Sequence, residues 1–226
     1  MILTLFDLDG TLIATDSDHA FGEHLVAEGW VDAEVYRRRN DAFYLDYQAA
    51  RLDIDAYIDF ATAPWRSRPL AEALAMRERF MHDVMQAAFD ARAFRLVQRH
   101  QKAGDRVAIV TATNEFITRP IAEAFGVADL IAVELARDDN GAVTGAVRGV
   151  PSFREGKIVR VEQWLAMQGL RHADFDRVTV YSDSTNDLPL LEWATHPVAT
   201  NPGPALAAIA RERSWPILNL FAEEET

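Results

Sequence analysis

Between Ala91 and Leu218, short runs of β-forming apolar residues alternate with stretches of helical periodicity. That alternation constrains the fold more than any other feature of the chain. Helical RAFRLVQRHQK precedes strand-like DRVAIV, FITRPIAEAFG precedes LIAVELA, and EGKIVRVEQWLAMQG precedes RVTVYS. LPLLEWA then leads to PVAT, and PALAAIARER to WPILNL. Strands separated by helices are joined by crossovers, so they lie parallel with helices on both faces of the sheet. ILTLF at residues 2–6 has the continuous apolar character of a strand buried on both faces. ELARDDNGAVTGAV breaks the order and reads as a hairpin, with Asn140 and Gly141 supplying the positive φ angles of its turn. Residues 16–88 differ throughout: their apolar residues recur at helical spacing, with Asp32, Asp53, Pro64 and Pro69 marking helix starts. The expected architecture is α/β, a doubly wound, Rossmann-like parallel sheet built from residues 1–15 and 89–226. An all-α block, residues 16–88, is inserted after the first strand as a cap, and AEEET at the end reads as a solvated tail.

Sites in such sheets form beyond the C-terminal ends of the strands. That rule selects DLDGT after the first strand, TATN after 107–110, REGK before the helix containing Lys157, and SDSTND after 178–181. At a strand end Asp7 and Asp9 point the same way. Two like charges ~4 Å apart repel by roughly 4 kcal/mol at an effective dielectric of ~20. A divalent cation offsets that repulsion, and hard oxygen ligands select Mg²⁺. Asp183 and Asp187, at another strand end, add two carboxylates. The chain has no cysteine and no closely spaced histidine pair, which argues against zinc. Acids gathered around Mg²⁺ handle phosphate. The Thr111 hydroxyl and the helix N-terminus capped by Asn114 can hold anionic oxygens, and Lys157 can neutralise another.

Composition narrows the partners. A formal net charge of −12 argues against nucleic acid, which needs a cationic face, and weakly against anionic membranes. No apolar run approaches the ~20 residues that cross a bilayer, and no basic segment precedes an apolar one at the N-terminus. With cysteine absent as well, a cytoplasmic, unprocessed protein is expected. The sequence says nothing of oligomeric state.

The four motifs, in this order at successive strand ends, resemble those of the haloacid dehalogenase superfamily of phosphohydrolases. The position of the helical insert resembles a type-1 cap. That position and the hairpin before the Lys157 helix are most similar to the phosphoserine phosphatase branch. The resemblance implies a phosphoric monoester hydrolase. Asp7 would attack phosphorus and become an aspartyl-phosphate, while Asp9 would protonate the leaving alcohol and later deprotonate water. Mg²⁺ would be held by Asp7, the Asp9 carbonyl and Asp183. Thr111, the Ala112 amide and Lys157 would stabilise the transferring phosphoryl group. Asp187 would orient Lys157 or a metal-bound water, and Asn186 would reach the phosphate or its ester oxygen. Asp9 separates this chain from ion pumps, which carry threonine there, and from dehalogenases, which lack the second aspartate. Ser182 and Ser184 depart from the glycines usual in the fourth motif, and Ala112 from the glycine frequent in the second.

The substrate is expected to be a small phosphorylated metabolite, chosen by the insert. Asp16 lies nine residues after Asp7, where phosphoserine phosphatases place a carboxylate that contacts the substrate ammonium. It could equally cap the helix beginning near Ser17. His19 faces the pocket or packs on the surface. Arg51, Arg66 and Arg68 are the insert cations that a substrate carboxylate would need. Tyr44, Tyr47, Tyr57, Phe60 and Trp65 suit helix packing first and substrate stacking second. Phosphoserine or another amino-alcohol phosphate such as histidinol phosphate fits this set. A phosphotransferase or mutase using the same aspartyl-phosphate is one alternative. A non-catalytic phosphate sensor is another, although it would have no use for the Asp7–Asp9 pair.

Overall fold

The computed structural model describes residues 1–49 and 51–221, so the terminal AEEET lies outside the described residues. β1 (Ile2–Phe6) is followed by α1 (Ser17–Ala27), α2 (Ala33–Gln48), α3 (Ile54–Arg66) and α4 (Leu70–Phe80). A π-helical turn at Met81–Met85 leads into the short α5 (Gln86–Ala88). Then come α6 (Ala91–Lys102), β2 (Arg106–Asn114), α7 (Glu115–Ala124), β3 (Asp129–Val133), and the hairpin of β4 (Leu135–Arg137) and β5 (Val143–Val147). α8 (Glu155–Ala166), β6 (Arg177–Ser182), α9 (Leu188–Trp193), β7 (His196–Thr200), α10 (Pro204–Glu212) and β8 (Ile217–Leu218) complete the order.

Among the described residues, six strands form one sheet in the order β3-β2-β1-β6-β7-β8, with every pairing parallel. The chain winds one way from β1 to β2 and β3 and the other way through β6, β7 and β8. The switch point falls at β1, which lies between β2 and β6, so the loops leaving these three strands stand side by side. Leu3 and Leu5 pack on one face with Val161 of α8, Leu190 of α9 and Leu206 of α10. Phe6 belongs to the other face, where the core is continuous with insert residues Phe21, Ile58, Trp65 and Met76.

Several helix starts are those read from the sequence. The side chains of Asp16, Asp32 and Asp53 each accept a backbone N–H in the first turn of α1, α2 and α3, and Asp90, which was not among the sequence signals, does the same for α6. Pro64 is different: it lies inside α3 and does not start a helix. α3 buries Ile58, Phe60, Ala61 and Trp65, and that packing outweighs the one backbone bond proline removes. The hairpin turn also differs from expectation. Gly141 has φ +82° but Asn140 is not left-handed. The Asp138 carboxylate accepts the N–H groups of Asn140 and Ala142, each at 2.9 Å, so one left-handed residue suffices for the turn.

Asn201, just past β7, ties the site loop to the chain terminus. It adopts φ +47°. Its Nδ2 donates to the Gly10 carbonyl at 2.9 Å and lies 3.3 Å from that of Thr11. Its Oδ1 accepts from Leu220 N–H at 2.6 Å and Phe221 N–H at 3.1 Å. Asn201→Ala strains the backbone and strands these groups, so it is expected to cost about 2–3 kcal/mol in a denaturant titration. Asn201→Gly relieves the strain alone and should recover only part of that loss.

Candidate active site

β1 delivers Asp7 to the centre of the switch point. Its N–H continues the β1–β6 ladder by one residue, donating to the Tyr181 carbonyl at 2.9 Å. Gly10 then turns the chain at φ +73°. A Cβ there would lie 2.4 Å from Asp183 Oδ2, so only glycine lets the β1 and β6 loops approach this closely. Thr11 joins those loops. Its hydroxyl lies 3.2 Å from Asp7 Oδ2 and 3.0 Å from Asp183 Oδ1, and it accepts the Asp183 N–H at 3.1 Å.

Lys157, in the first turn of α8, is 1% exposed. Its Nζ donates to Asp7 Oδ1 at 2.8 Å and to Asp187 Oδ2 at 2.7 Å. Burial works to lower its pKa, but the Asp187 and Asp7 carboxylates outweigh burial and hold it above the ordinary lysine value. Burial raises the Asp187 pKa against the pull of Lys157. Ser182, at a position where the family pattern has glycine, donates its hydroxyl to Asp187 Oδ2 at 2.8 Å. Burial, then repulsion from Asp7 and Asp187, pushes the Asp183 carboxyl well up.

Asp9 has separate partners. Oδ1 accepts the Ser17 N–H at 2.7 Å, and Oδ2 accepts the Thr113 hydroxyl at 2.9 Å, with the Thr111 hydroxyl 3.5 Å away. Burial, with repulsion from Asp16 second, pushes its carboxyl up to about 6. A group titrating there can both give and take a proton near neutral pH. The strand pair is thus divided by role: Asp7 is bound by a cation, whereas Asp9 is sheltered and protonatable.

The donor set suits a hard divalent cation. Asp7 and Asp187 share one lysine, and Asp183 adds a further carboxylate close enough to be repelled by both, which leaves negative charge in excess. Every candidate ligand is oxygen. Among the described residues no group of three or more His, Cys, Asp or Glu side chains stands as a metal cluster. The expected site uses two carboxylates and a main-chain carbonyl, so it does not require one.

A cavity separates these strand ends from the helical insert. It is lined by Asp7, Asp9, Thr111, Ala112 and Thr113 below and by Asp16, Asp18, Tyr44, Tyr47 and Tyr57 above. Asp16 does both things considered for it. It caps α1, accepting the His19 N–H at 2.8 Å, and it faces the cavity. His19 also lines the cavity, with Nε2 2.9 Å from Asp41. Phe60 stacks on Tyr36, and Trp65 on Phe116, as packing residues do. Tyr44, Tyr47 and Tyr57 share the same helical spacing yet line the cavity. Asn186 is turned to the insert, with Nδ2 donating to the Tyr47 carbonyl at 3.0 Å. None of the three insert arginines lines the cavity: Arg51 pairs with Asp46, Arg66 with Asp59, and Arg68 lies 4.1 Å over the Trp30 ring.

Sequence reasoning gave no site role to Thr11, Thr113, Ser182 or Asp18. Thr113 carried a usable signal, because it stands two residues from Thr111 on an extended strand and so shares its face. Asp18 carried none.

A model of the haloacid dehalogenase-like hydrolases matches residues 4–192. The chain belongs to that family. This haloacid dehalogenase-like hydrolase is 42% identical to a histidinol-phosphatase of Neisseria meningitidis serogroup C (strain 8013), over 96% of this chain and 98% of the relative. A crystal structure of a protein from Bordetella pertussis Tohama I matches with TM-score 0.92 and 45% identity, covering 97% of this chain and 99% of the other. A substrate-bound phosphoserine phosphatase matches with TM-score 0.66 at 17% identity, over 96% and 91% of the two chains, which is a likeness of fold. The α/β fold class, the family and the phosphatase class expected from the motifs therefore stand. No helix among the described residues is long and apolar enough to cross a membrane.

Proposed function

We propose that this hydrolase is a Mg²⁺-dependent phosphomonoesterase for a small, amine-bearing phosphate ester without a carboxylate, with histidinol phosphate the best fit. The observation that carries the choice is the cavity's charge. It presents Asp16 and Asp18 beside phenols and His19, and no arginine or lysine lies among its described lining residues. An ammonium finds carboxylate partners there, whereas the carboxylate of phosphoserine would lie beside two acids with no arginine or lysine to pair it. The Neisseria relative, similar over almost its whole length, is a histidinol-phosphatase.

Residues 16–88 act as a cap over the core of residues 1–15 and 89–226 and exclude water from the reaction. An Asp7 carboxylate oxygen attacks phosphorus in line, and the bond to the ester oxygen breaks. The departing alkoxide takes the Asp9 proton. Asp9, now ionised, accepts a proton from the water that attacks the aspartyl-phosphate, releasing phosphate and restoring Asp7. Lys157, held by Asp187, acts in this reading with Thr111 and the Ala112 N–H to stabilise charge on the phosphoryl oxygens. Asp7, Asp183 and the Asp9 carbonyl would hold Mg²⁺, which supplies charge neutralisation as nucleophile and phosphate approach.

Steady-state kinetics test the reading. Histidinol phosphate should exceed phosphoserine in kcat/KM by about 100-fold or more. Equal turnover of the two esters would refute the choice of substrate. Chelation of divalent metal should stop hydrolysis. Restoring Mg²⁺ to about 100 times its Kd should stabilise the fold by about 2.7 kcal/mol, or roughly 5–10 °C in Tm. Full activity in chelator, with an unchanged Tm, would remove the metal from the proposal.

A further inference from the structure

His19 stands on the wall of the cavity that also holds Asp7 and Asp9, and its side chain is 27% exposed. Its main chain is pinned on both sides. The N–H donates to Asp16 Oδ1 at 2.8 Å, and the carbonyl accepts from Asn40 Nδ2 at 3.1 Å. Gly22 lets α2 close on α1 here, since a Cβ at that position would lie 2.6 Å from Asn40 Nδ2. The ring is pinned as well, with Nε2 2.9 Å from Asp41 Oδ1. An ionised carboxylate only accepts, so Nε2 donates that bond, and the neutral ring carries its lone pair at Nδ1.

Asp41 is not among the residues lining the cavity, and its side chain is 62% exposed, so the Nε2 bond points outward. Nδ1 points away from Asp41, makes no hydrogen bond among the described residues and is not sealed off by its surroundings. It is an oriented acceptor left open on a cavity wall. The Tyr44 ring lines the same cavity, with its centre 5.0 Å from that of His19 and tilted by 44°, so an aromatic face adjoins the acceptor. Asp16, bonded to the His19 main chain, is the neighbouring acid on this wall. In histidinol phosphate a single methylene separates the amine-bearing carbon from the ring. An ammonium resting on Asp16 therefore brings that ring to His19 and Tyr44.

The geometry points to His19 as a specificity residue whose Nδ1 accepts a hydrogen bond from a ring N–H of the leaving group, with Asp41 the positioning residue that fixes its tautomer. This rests on the reading of the cavity as the leaving-group site of an amine-bearing phosphate ester. A leaving group whose ring has no N–H covers Nδ1 without pairing it, and a polar group left unpaired by the wrong ligand is what makes a site discriminate.

The test compares histidinol phosphate with phenylalaninol phosphate, which keeps the amine and a ring but has no ring N–H, for wild type, His19→Phe and Asp41→Ala. Phenylalanine keeps the ring wall and loses both nitrogens, and both variants keep the main-chain bonds to Asp16 and Asn40. Wild type should favour histidinol phosphate by about 100-fold or more in kcat/KM. His19→Phe should reduce that preference at least about 10-fold, and Asp41→Ala about 3-fold or more with an unchanged Tm, although Asp41 touches no ligand. A preference that survives His19→Phe overturns the role of His19 and leaves the amine-bearing substrate class standing, as does equal wild-type turnover of the two amino esters. A preference lost in His19→Phe but intact in Asp41→Ala removes Asp41 from the proposal. Lack of any wild-type preference for either amino ester over 4-nitrophenyl phosphate overturns both the role and the class. A lowered Tm with both esters impaired equally makes His19 a packing residue and also overturns the assignment.

Discussion

Asp7→Asn is expected to lower kcat for any phosphate ester by about 10⁴-fold or more while leaving the protein folded. The substitution preserves volume but not nucleophilicity, since an amide cannot attack phosphorus and be released by water. Stability should survive because Lys157 keeps its second partner, Asp187, at 2.7 Å. Loss of the Asp7 charge also relieves the repulsion that raises Asp183 and Asp187. Turnover and thermal melting measured on one preparation separate the effects. Retained turnover would remove the nucleophile from the mechanism, and a collapsed Tm would recast Asp7 as a structural residue.

Lys157→Met is expected to damage both function and stability. The ammonium sits between Asp7 and Asp187, whose side chains are 6% and 3% exposed. Removing it strands buried carboxylates, at a cost of about 3–5 kcal/mol or roughly 10 °C in Tm. Loss of the charge facing the phosphoryl group should lower kcat by about 10³-fold. The pH dependence follows from the directions of the shifts. The pKa of Lys157 is raised on folding, so its contribution is complete below the ordinary lysine value and is lost only as pH rises through the higher folded one. Wild type keeps that contribution throughout the neutral range. Asp183 and Asp187 have raised pKa values in the folded protein, and without Lys157 only the weaker Ser182 hydrogen bond opposes the rise of Asp187. The folded variant then holds protons that the unfolded chain releases above about pH 4, so its stability falls as pH rises. The Tm deficit should be smaller near pH 5 than near pH 8. An equal deficit at both would mean the loss is one of packing, not of charge.

The strand ends were legible because short-range rules govern them. DLDGT follows a strand, Asn114 and Asp16 cap helices, and the order of motifs places them along one sheet edge. The insert was legible as helices but not as surfaces. Tyr57 and Phe60 are three residues apart on α3, yet one lines the cavity and the other stacks on Tyr36. Helical periodicity says which residues share a face, and not whether that face meets a core or a ligand. Arg66 illustrates the same limit. It is an insert cation on paper, but in the fold it is tied to Asp59 at 2.6 Å, away from the cavity.

The local pattern of residues by itself determined the alternating fold, the helical insert after β1 and the identity of the acids and lysine that meet at the strand ends. Those features depend on contacts a few residues long and on the crossover rule for parallel sheets. Only the tertiary structure decided that Asp7 shares Lys157 with Asp187 while Asp9 is sheltered by Ser17 and Thr113. It also decided that the cavity beneath the insert is lined by acids and aromatic rings, with neither arginine nor lysine among its described lining residues. The reason is that charge balance in a buried site is set by distances between residues as far as 150 positions apart in the chain, to which no local pattern responds.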